Sequence, residues 1–155
     1  MTSRGTSGIV VTFGTHVWLM LSSTQVPISL SSAEAEFYGL AKAGSRGIGI
    51  FNLAKDFGFD KLGLLDLELL SDSSSAIGVA IRRGVGKIRH LETGSLWLQQ
   101  AVAQKRFLVT KVDGKKNPAD ARTKHVEGNK LCEHMRMVNL HISEGRHHLA
   151  PHQAE

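Results

Sequence analysis

The chain has 155 residues, of which 41% are hydrophobic and 21% charged. This length and balance fit one globular domain with a short tail and argue against wholesale disorder. The longest strongly apolar run, residues 17–21, is far too short for a membrane helix, and the first ten residues lack the apolar stretch of a secretory signal. A single cysteine, Cys132, excludes an internal disulfide framework and a zinc site built on several cysteines. We therefore expect an intracellular protein without a membrane segment.

Basic residues are concentrated in one part of the sequence. Residues 80–125 hold eleven of the nineteen lysines and arginines but only three acidic residues, so this segment carries a formal charge of +8 and the remainder −3. Such an asymmetry favours a polyanionic partner on one face of the molecule. A solvated basic surface without any partner explains the charge equally well.

The first third of the chain predicts a hairpin and a long helix. Residues 8–22 are rich in β-branched and aromatic side chains and break at 14–15, which is typical of two strands joined by a tight turn. Ser31 and Glu34 have the spacing of a capping box. From there apolar residues recur at steps of three and four as far as residue 57, which predicts one amphipathic helix.

The rest of the chain alternates short apolar runs with amphipathic ones. In chain order we predict a strand at 64–70, a helix at 73–83, a helix at 91–105, a strand at 107–112, a helix opening at 117–120 with Pro118 near its first position, and a helix at 126–138. This order of strands and helices indicates a mixed α/β fold.

Three acidic residues stand at the ends of predicted elements. Asp72 directly follows an apolar strand, Asp120 opens a helix, and Glu36 lies in the first two turns of the long helix. Each has an ordinary structural role open to it, such as a charge at a helix N-terminus for Asp120. If the three converge, their repulsion favours a cation between them, and Mg²⁺ suits carboxylate oxygens best. Two such ions activate a water and stabilise the leaving oxygen of a phosphodiester.

Four motifs occur in order along the chain. They are Ser-Ser-Ala-Glu-Ala-Glu-Phe-Tyr-Gly-Leu at 31–40, Ser-Asp-Ser-Ser-Ser-Ala at 71–76, Lys-Ile-Arg-His-Leu-Glu at 87–92 and Asn-Pro-Ala-Asp-Ala-Arg-Thr-Lys at 117–124. Together they closely resemble the ribonuclease H domain at the end of a copia-type retrotransposon Pol polyprotein. The resemblance covers residues 2–126. We expect a helical extension at 127–144 and a polar, His-rich tail at 145–155 to follow it.

The resemblance implies a ribonuclease H-like fold, in which a mixed β-sheet is flanked by helices. It also implies a metal-dependent endonuclease that hydrolyses the RNA strand of RNA–DNA hybrids with two Mg²⁺ ions. The catalytic and metal-binding residues that it implies are Glu36, Asp72 and Asp120. Glu36 matches the family's helix glutamate, and the capping role of Glu34 agrees with that choice. The implied partners are the hybrid and the reverse transcriptase portion of a larger polyprotein, and no membrane.

Nucleic-acid contacts are expected from the basic segment. The predicted residues are Arg82, Arg83, Lys87, Arg89 and His90, and His90 matches a histidine of the family's motif. We expect the basic side chains to contact backbone phosphates, because such contacts do not depend on sequence.

One catalytic residue of the family pattern has no counterpart in this sequence. The family's first catalytic aspartate lies on a central strand upstream of the segment matched by residues 2–8, whereas this sequence has no aspartate before Asp56. By the resemblance, the sheet therefore lacks its first strand, and we expect the chain alone to cleave little or not at all. The alternative is a catalytically inactive retroelement remnant that at most binds nucleic acid through its basic segment.

Overall fold

The computed structural model describes residues 4–63, 65–84, 86, 91, 93–143 and 145. The strands and α-helices are β1 (Thr6–Phe13), β2 (His16–Thr24), α1 (Ser32–Asp56), β3 (Glu68–Ser71), α2 (Ser74–Ile81), α3 (Trp97–Ala103), β4 (Leu108–Lys111) and α4 (Gly128–Met137). The described residues also form 3₁₀ helices at Phe59–Leu62, Thr93–Ser95, Gly114–Lys116 and Pro118–Arg122. This order confirms the mixed α/β prediction. No helix in these residues has both the length and the apolar character that crossing a bilayer requires.

The predicted hairpin is confirmed. β1 and β2 pair in antiparallel fashion from Thr6 opposite Thr24 to Phe13 opposite His16, with a bulge after Val11. The chain turns at residues 14–15, as the break in the apolar pattern predicts.

The start of α1 is also confirmed. The Oγ of Ser31 accepts a hydrogen bond from the N–H of Glu34 over 3.2 Å. The Glu34 carboxylate accepts hydrogen bonds from the Leu30 N–H at 2.8 Å and from the Tyr38 hydroxyl at 2.9 Å. Only 1% of Glu34 is exposed, so this carboxylate serves to fix the entry of the chain into α1.

α1 lies at the centre of the hydrophobic core. Phe37 on α1 and Leu98 on α3 are fully buried, and Leu69 of β3 packs in the same cluster. A Cβ added at Gly44 would lie 3.2–3.4 Å from the side chains of Leu98, Trp97 and Leu69. Glycine therefore allows α1 to approach β3 and α3 closely, which offsets the low helix propensity of this residue.

The described strands form two separate pairs, which is compatible with the prediction that the sheet lacks its first, central strand. β3 and β4 are parallel, with Glu68 opposite Leu108 and Ser71 opposite Lys111, while β1 pairs with β2. In the part of the chain that the structure describes, no strand lies between β1 and β3 to join the two pairs. α1 packs against both strands and supports them jointly.

Three predicted elements are shorter or tighter than the periodicity suggests. The helix predicted at 91–105 becomes a 3₁₀ turn followed by α3, since Gly94 and Ser95 are weak helix formers. Of the strand predicted at 64–70, residue 64 lies outside the described residues, and residues 68–70 belong to β3, whose partner β4 offers only four residues for pairing. The helix predicted from 117–120 is a single 3₁₀ helix, with proline near its start as expected.

The buried hydrogen bonds of Glu34 give a prediction for stability. Glu34→Ala leaves the Leu30 N–H and the Tyr38 hydroxyl without this acceptor, so we expect a loss of about 2–4 kcal/mol in the free energy of unfolding. Glu133→Ala is the matched control, because Glu133 is an exposed glutamate on α4, and should change stability by less than about 0.5 kcal/mol. Urea denaturation measures both, and equal effects would contradict the structural assignment of Glu34.

Candidate active site

One cavity brings the three predicted carboxylates together. It has a volume of about 270 Å³, and its wall includes Glu36 from the start of α1, Asp72 from the end of β3 and Asp120 from the 3₁₀ helix Pro118–Arg122. Asp72 and Asp120 are half-buried and Glu36 is exposed. We call this space the carboxylate cavity. Residues 36, 72 and 120 are far apart in the sequence, so their meeting is a property of the fold.

Asp72 is positioned by the change from strand to helix. It directly follows β3, and the next residue, Ser73, caps α2 by accepting a hydrogen bond from the Ala76 N–H at 3.2 Å. On its other side the chain passes close by, because a Cβ added at Gly114 would lie 3.2 Å from Oδ2 of Asp72. The backbone of Asp72 is therefore fixed by β3 before it and by the cap of α2 after it, while its carboxylate lies close to Gly114.

Asp120 is positioned by the close approach of its 3₁₀ helix to β1. A Cβ added at Gly8 would lie 2.5 Å from the Ala119 carbonyl oxygen and 2.7 Å from the Arg122 Cβ, so any side chain there would push the turn away. The Ser22 hydroxyl donates a hydrogen bond of 2.6 Å to the Arg122 carbonyl. The hairpin thus sets the place of Asp120.

The sequence analysis missed two residues of this site. Gln25, only 5% exposed, lines the cavity and donates from Nε2 to the Ser7 hydroxyl at 2.9 Å and to the Ala35 carbonyl at 2.8 Å. Lys124 places its Nζ 2.7 Å from Oδ2 of Asp120. The spacing of Asp120 and Lys124, four residues apart, was a readable signal for the ion pair. The sequence around Gln25, which lies between β2 and α1, contains no comparable pattern that would predict its burial.

Burial and the charges of neighbouring carboxylates both act on the Glu36 carboxyl. Although much of Glu36 is exposed, the partial burial of its carboxyl raises the pKa above the ordinary value of 4.5. The charges of Asp72 and Asp120 raise this pKa further, while Lys124 lowers it. The hydrogen bond to Asp120 and then the charge of that carboxylate raise the pKa of Lys124. One lysine faces three carboxylates here, so the cavity favours an additional cation.

The donor set has the chemistry of a magnesium site. Carboxylate oxygens are the ligands that Mg²⁺ prefers, and a cation among them would offset the repulsion felt by Glu36. Across the residues that the structure describes, no three His, Cys, Asp or Glu side chains are arranged to hold one metal ion.

A known protein is similar to most of the chain. It is the retrovirus-related Pol polyprotein from transposon TNT 1-94 of Nicotiana tabacum, 26% identical over 141 residues. The match covers 89% of this chain and 10% of the polyprotein, so the chain spans about a tenth of that relative's length. The chain is therefore similar to a short part of a retrotransposon Pol polyprotein. No protein-family model matches the chain. No solved structure matches it either.

The predicted nucleic-acid residues are only partly described. Arg82 caps the C-terminal end of α2 and is half-buried, and Arg83 beside it is exposed. Lys87, Arg89 and His90 lie outside the described residues. Neither Arg82 nor Arg83 lines the carboxylate cavity.

A buried glutamine anchors the loop that carries these arginines. The Nε2 of Gln99 donates to the carbonyls of Val79 at 2.8 Å and Gly84 at 3.0 Å, and its Oε1 accepts from the Gly84 N–H at 2.9 Å. The chain on both sides of Arg82 and Arg83 is therefore tied to α3.

The raised pKa of Glu36 predicts a pH dependence. Because the folded state holds this proton more tightly than the unfolded chain, stability should fall as the pH rises from 4.5 through the raised pKa. Glu36→Gln should remove this fall, and Asp72→Asn should lower the pKa of Glu36, although burial still keeps it raised. Carboxyl-detected NMR titration and urea denaturation across this pH range measure both effects. A pKa of Glu36 at or below 4.5 would contradict the described environment.

Proposed function

We propose that this chain is a ribonuclease H-type nuclease domain that hydrolyses the RNA strand of RNA–DNA hybrids with Mg²⁺. The observation that carries the proposal is the meeting of Glu36, Asp72 and Asp120, from three separate elements, on one cavity. Similarity to a retrotransposon Pol polyprotein supports the same assignment. The order of the four sequence motifs adds independent support, since the carboxylates lie within three of them.

The three carboxylates would hold the metal. When bound, Mg²⁺ supplies a Lewis acid for the phosphodiester and lowers the pKa of a coordinated water. Asp72 offers a carboxylate on a backbone held between β3 and α2, and Lys124 orients Asp120 through their ion pair. Glu36, whose pKa is raised, retains a proton at higher pH than an ordinary glutamate does.

Basic side chains border the carboxylate cavity on the side of Asp120. A neighbouring cavity of about 570 Å³ shares Asp120 and includes Lys115, Lys124 and Lys130, together with Glu127 and Glu133. The three lysines are balanced in formal charge by Asp120, Glu127 and Glu133, so a phosphate contact here would depend on individual lysine side chains and would not read the sequence. A hybrid duplex offers groove shape and 2′-hydroxyls for recognition as well.

Cleavage of a labelled RNA–DNA hybrid tests the proposal. The family pattern places a further carboxylate on a strand outside residues 1–155, so we expect these residues to cleave little. Addition of such a strand with its aspartate at the N-terminus should give Mg²⁺-dependent cleavage. In the extended protein, Asp72→Asn should lower the rate about a hundredfold or more, because small displacements at a reacting centre cost that much.

Asp56→Asn is the matched control for this experiment. Asp56 ends α1, twenty residues from Glu36 and so about 30 Å away along the helix axis, and it is exposed. The same chemical change there should leave the rate unchanged. Hybrid binding without cleavage by the extended protein would favour the binding-only remnant. Robust cleavage by residues 1–155 alone, lost in Asp72→Asn, would show that another group completes the site.

Nucleic-acid binding by the basic segment gives a separate prediction. If Arg83 contacts a backbone phosphate, Arg83→Ala should reduce the slope of log affinity against log salt concentration by about one. Lys61→Ala, an exposed lysine outside the basic segment, is the control and should leave the slope unchanged. Fluorescence anisotropy with a hybrid over a salt series measures both slopes. An affinity that ignores salt would refute the phosphate contacts.

A further inference from the structure

A single buried side chain joins the hairpin to the start of α1. Gln25 follows β2, and its Nε2 donates one hydrogen bond to the Ser7 hydroxyl on β1 and one to the Ala35 carbonyl in the first turn of α1. Its backbone N–H donates to the Gly5 carbonyl at 2.8 Å. The amide of Gln25 therefore ties the hairpin directly to the helix turn that carries Glu36.

This amide adds little to stability in sum. Among the described residues, the Oε1 of Gln25 is buried and has no hydrogen-bond partner. An unpaired buried acceptor costs about as much as two ordinary hydrogen bonds contribute. A methionine is also unbranched and would fill this space without an unpaired oxygen. What the amide adds is direction, because its two N–H groups hold a strand and a helix at a fixed separation.

The same strand also holds the turn that carries Asp120. Gly8, next to Ser7 on β1, lies against the Ala119 carbonyl, since a Cβ there would be 2.5 Å from that oxygen. Contacts therefore run without a break from the turn of Asp120 through β1 and Gln25 to the first turn of α1. A displacement of the amide would change the separation between the two acidic groups at the ends of this series.

We propose that Gln25 is the positioning residue that sets the separation between the Glu36 and Asp120 carboxylates. The inference rests on the proposed nuclease function, in which those carboxylates hold the metal. Gln25 acts through the backbone at Ala35 and the side chain of Ser7, to which it donates its hydrogen bonds. A displacement of about 1 Å at a reacting centre costs about a hundredfold in rate. A residue that fixes direction therefore has a role here that a packing residue cannot fill.

Gly5 offers a second way to move the same amide. A Cβ added at Gly5 would lie 2.8 Å from the Oε1 and 3.2 Å from the Cδ of Gln25. Overpacking of this kind forces side chains out of their preferred positions, so an alanine would push the amide away from its two acceptors. Gly5→Ala should therefore have the same local effect as Gln25→Met, although it keeps the glutamine in the chain.

Amide hydrogen exchange of residues 1–155 in metal-free buffer tests the positioning without catalysis. In Gln25→Met and in Gly5→Ala we expect the amides of residues 35–39 to exchange about tenfold faster than in the unmodified chain. The amides of residues 50–54, near the other end of α1, should keep their rates, because the loosening is local. If Gln25→Met fails to fold, Gly5→Ala decides the test.

Gln99→Met is the matched control for the exchange experiment. Gln99 is also a buried glutamine whose amide joins separate elements, since it bonds the backbone at Val79 and Gly84. It does not line the carboxylate cavity. Its replacement should speed exchange of the Gly84 amide and leave residues 35–39 unchanged.

The cleavage assay supplies a readout that a purely structural role would not move. In the N-terminally extended protein, Gln25→Met should lower kcat at least tenfold with little change in KM, because the hybrid still binds while the carboxylates are misplaced. Gln104→Met, at an exposed glutamine at the end of α3, should change neither constant.

Unchanged exchange in both variants, or exchange that rises equally along all of α1, would overturn the proposal. An unchanged kcat of Gln25→Met in an extended protein that cleaves the hybrid would overturn it as well. An extended protein without any cleavage would refute the nuclease function instead, and the exchange rates would still decide whether Gln25 positions the first turn of α1. The two failures are therefore distinguishable.

Discussion

The packing of α1 against both strand pairs is the constraint on which the rest of the molecule depends. Among the described residues, β1 and β3 share no backbone pairing, so their relative position is set by side chains that meet on this helix. Phe37 supplies buried volume, and Gly44 allows the helix to approach β3 and α3. Such packing fixes the position of the two strand pairs on α1, because protein interiors are close-packed and tolerate little change in volume.

The carboxylate cavity is a consequence of this packing. Glu36 sits on α1 itself, Asp72 ends the strand that packs on α1, and Asp120 belongs to a turn that the hairpin holds through Gly8. Bringing three acidic groups together works against stability, as the raised pKa of Glu36 shows. Perturbed pKa values of this kind are concentrated at functional sites. Glu34, two residues from Glu36, stabilises the fold instead. Its buried carboxylate accepts the hydrogen bonds that fix the start of the helix.

A second cavity lies between β1 and β3 and adjoins the carboxylate cavity, because residues 8, 43, 70, 117 and 119 line both. In the similar retrotransposon Pol polyprotein, of which this chain spans about a tenth, further polypeptide adjoins the matching region.

The sequence by itself determined the features that rest on local interactions. The hairpin at residues 8–22, the capped start of α1 and the proline at the start of the 3₁₀ helix follow from turn chemistry, capping and periodicity, which act over a few residues. The three carboxylates Glu36, Asp72 and Asp120 were also predicted from the sequence, because they lie near the ends of predicted elements and within the ordered motifs. Only the tertiary structure decided that these carboxylates share one cavity, that Gln25 is buried in its wall, and that the strands form two pairs on either side of a second cavity. These features depend on contacts between residues up to about a hundred positions apart, for which spacing along the chain carries no signal.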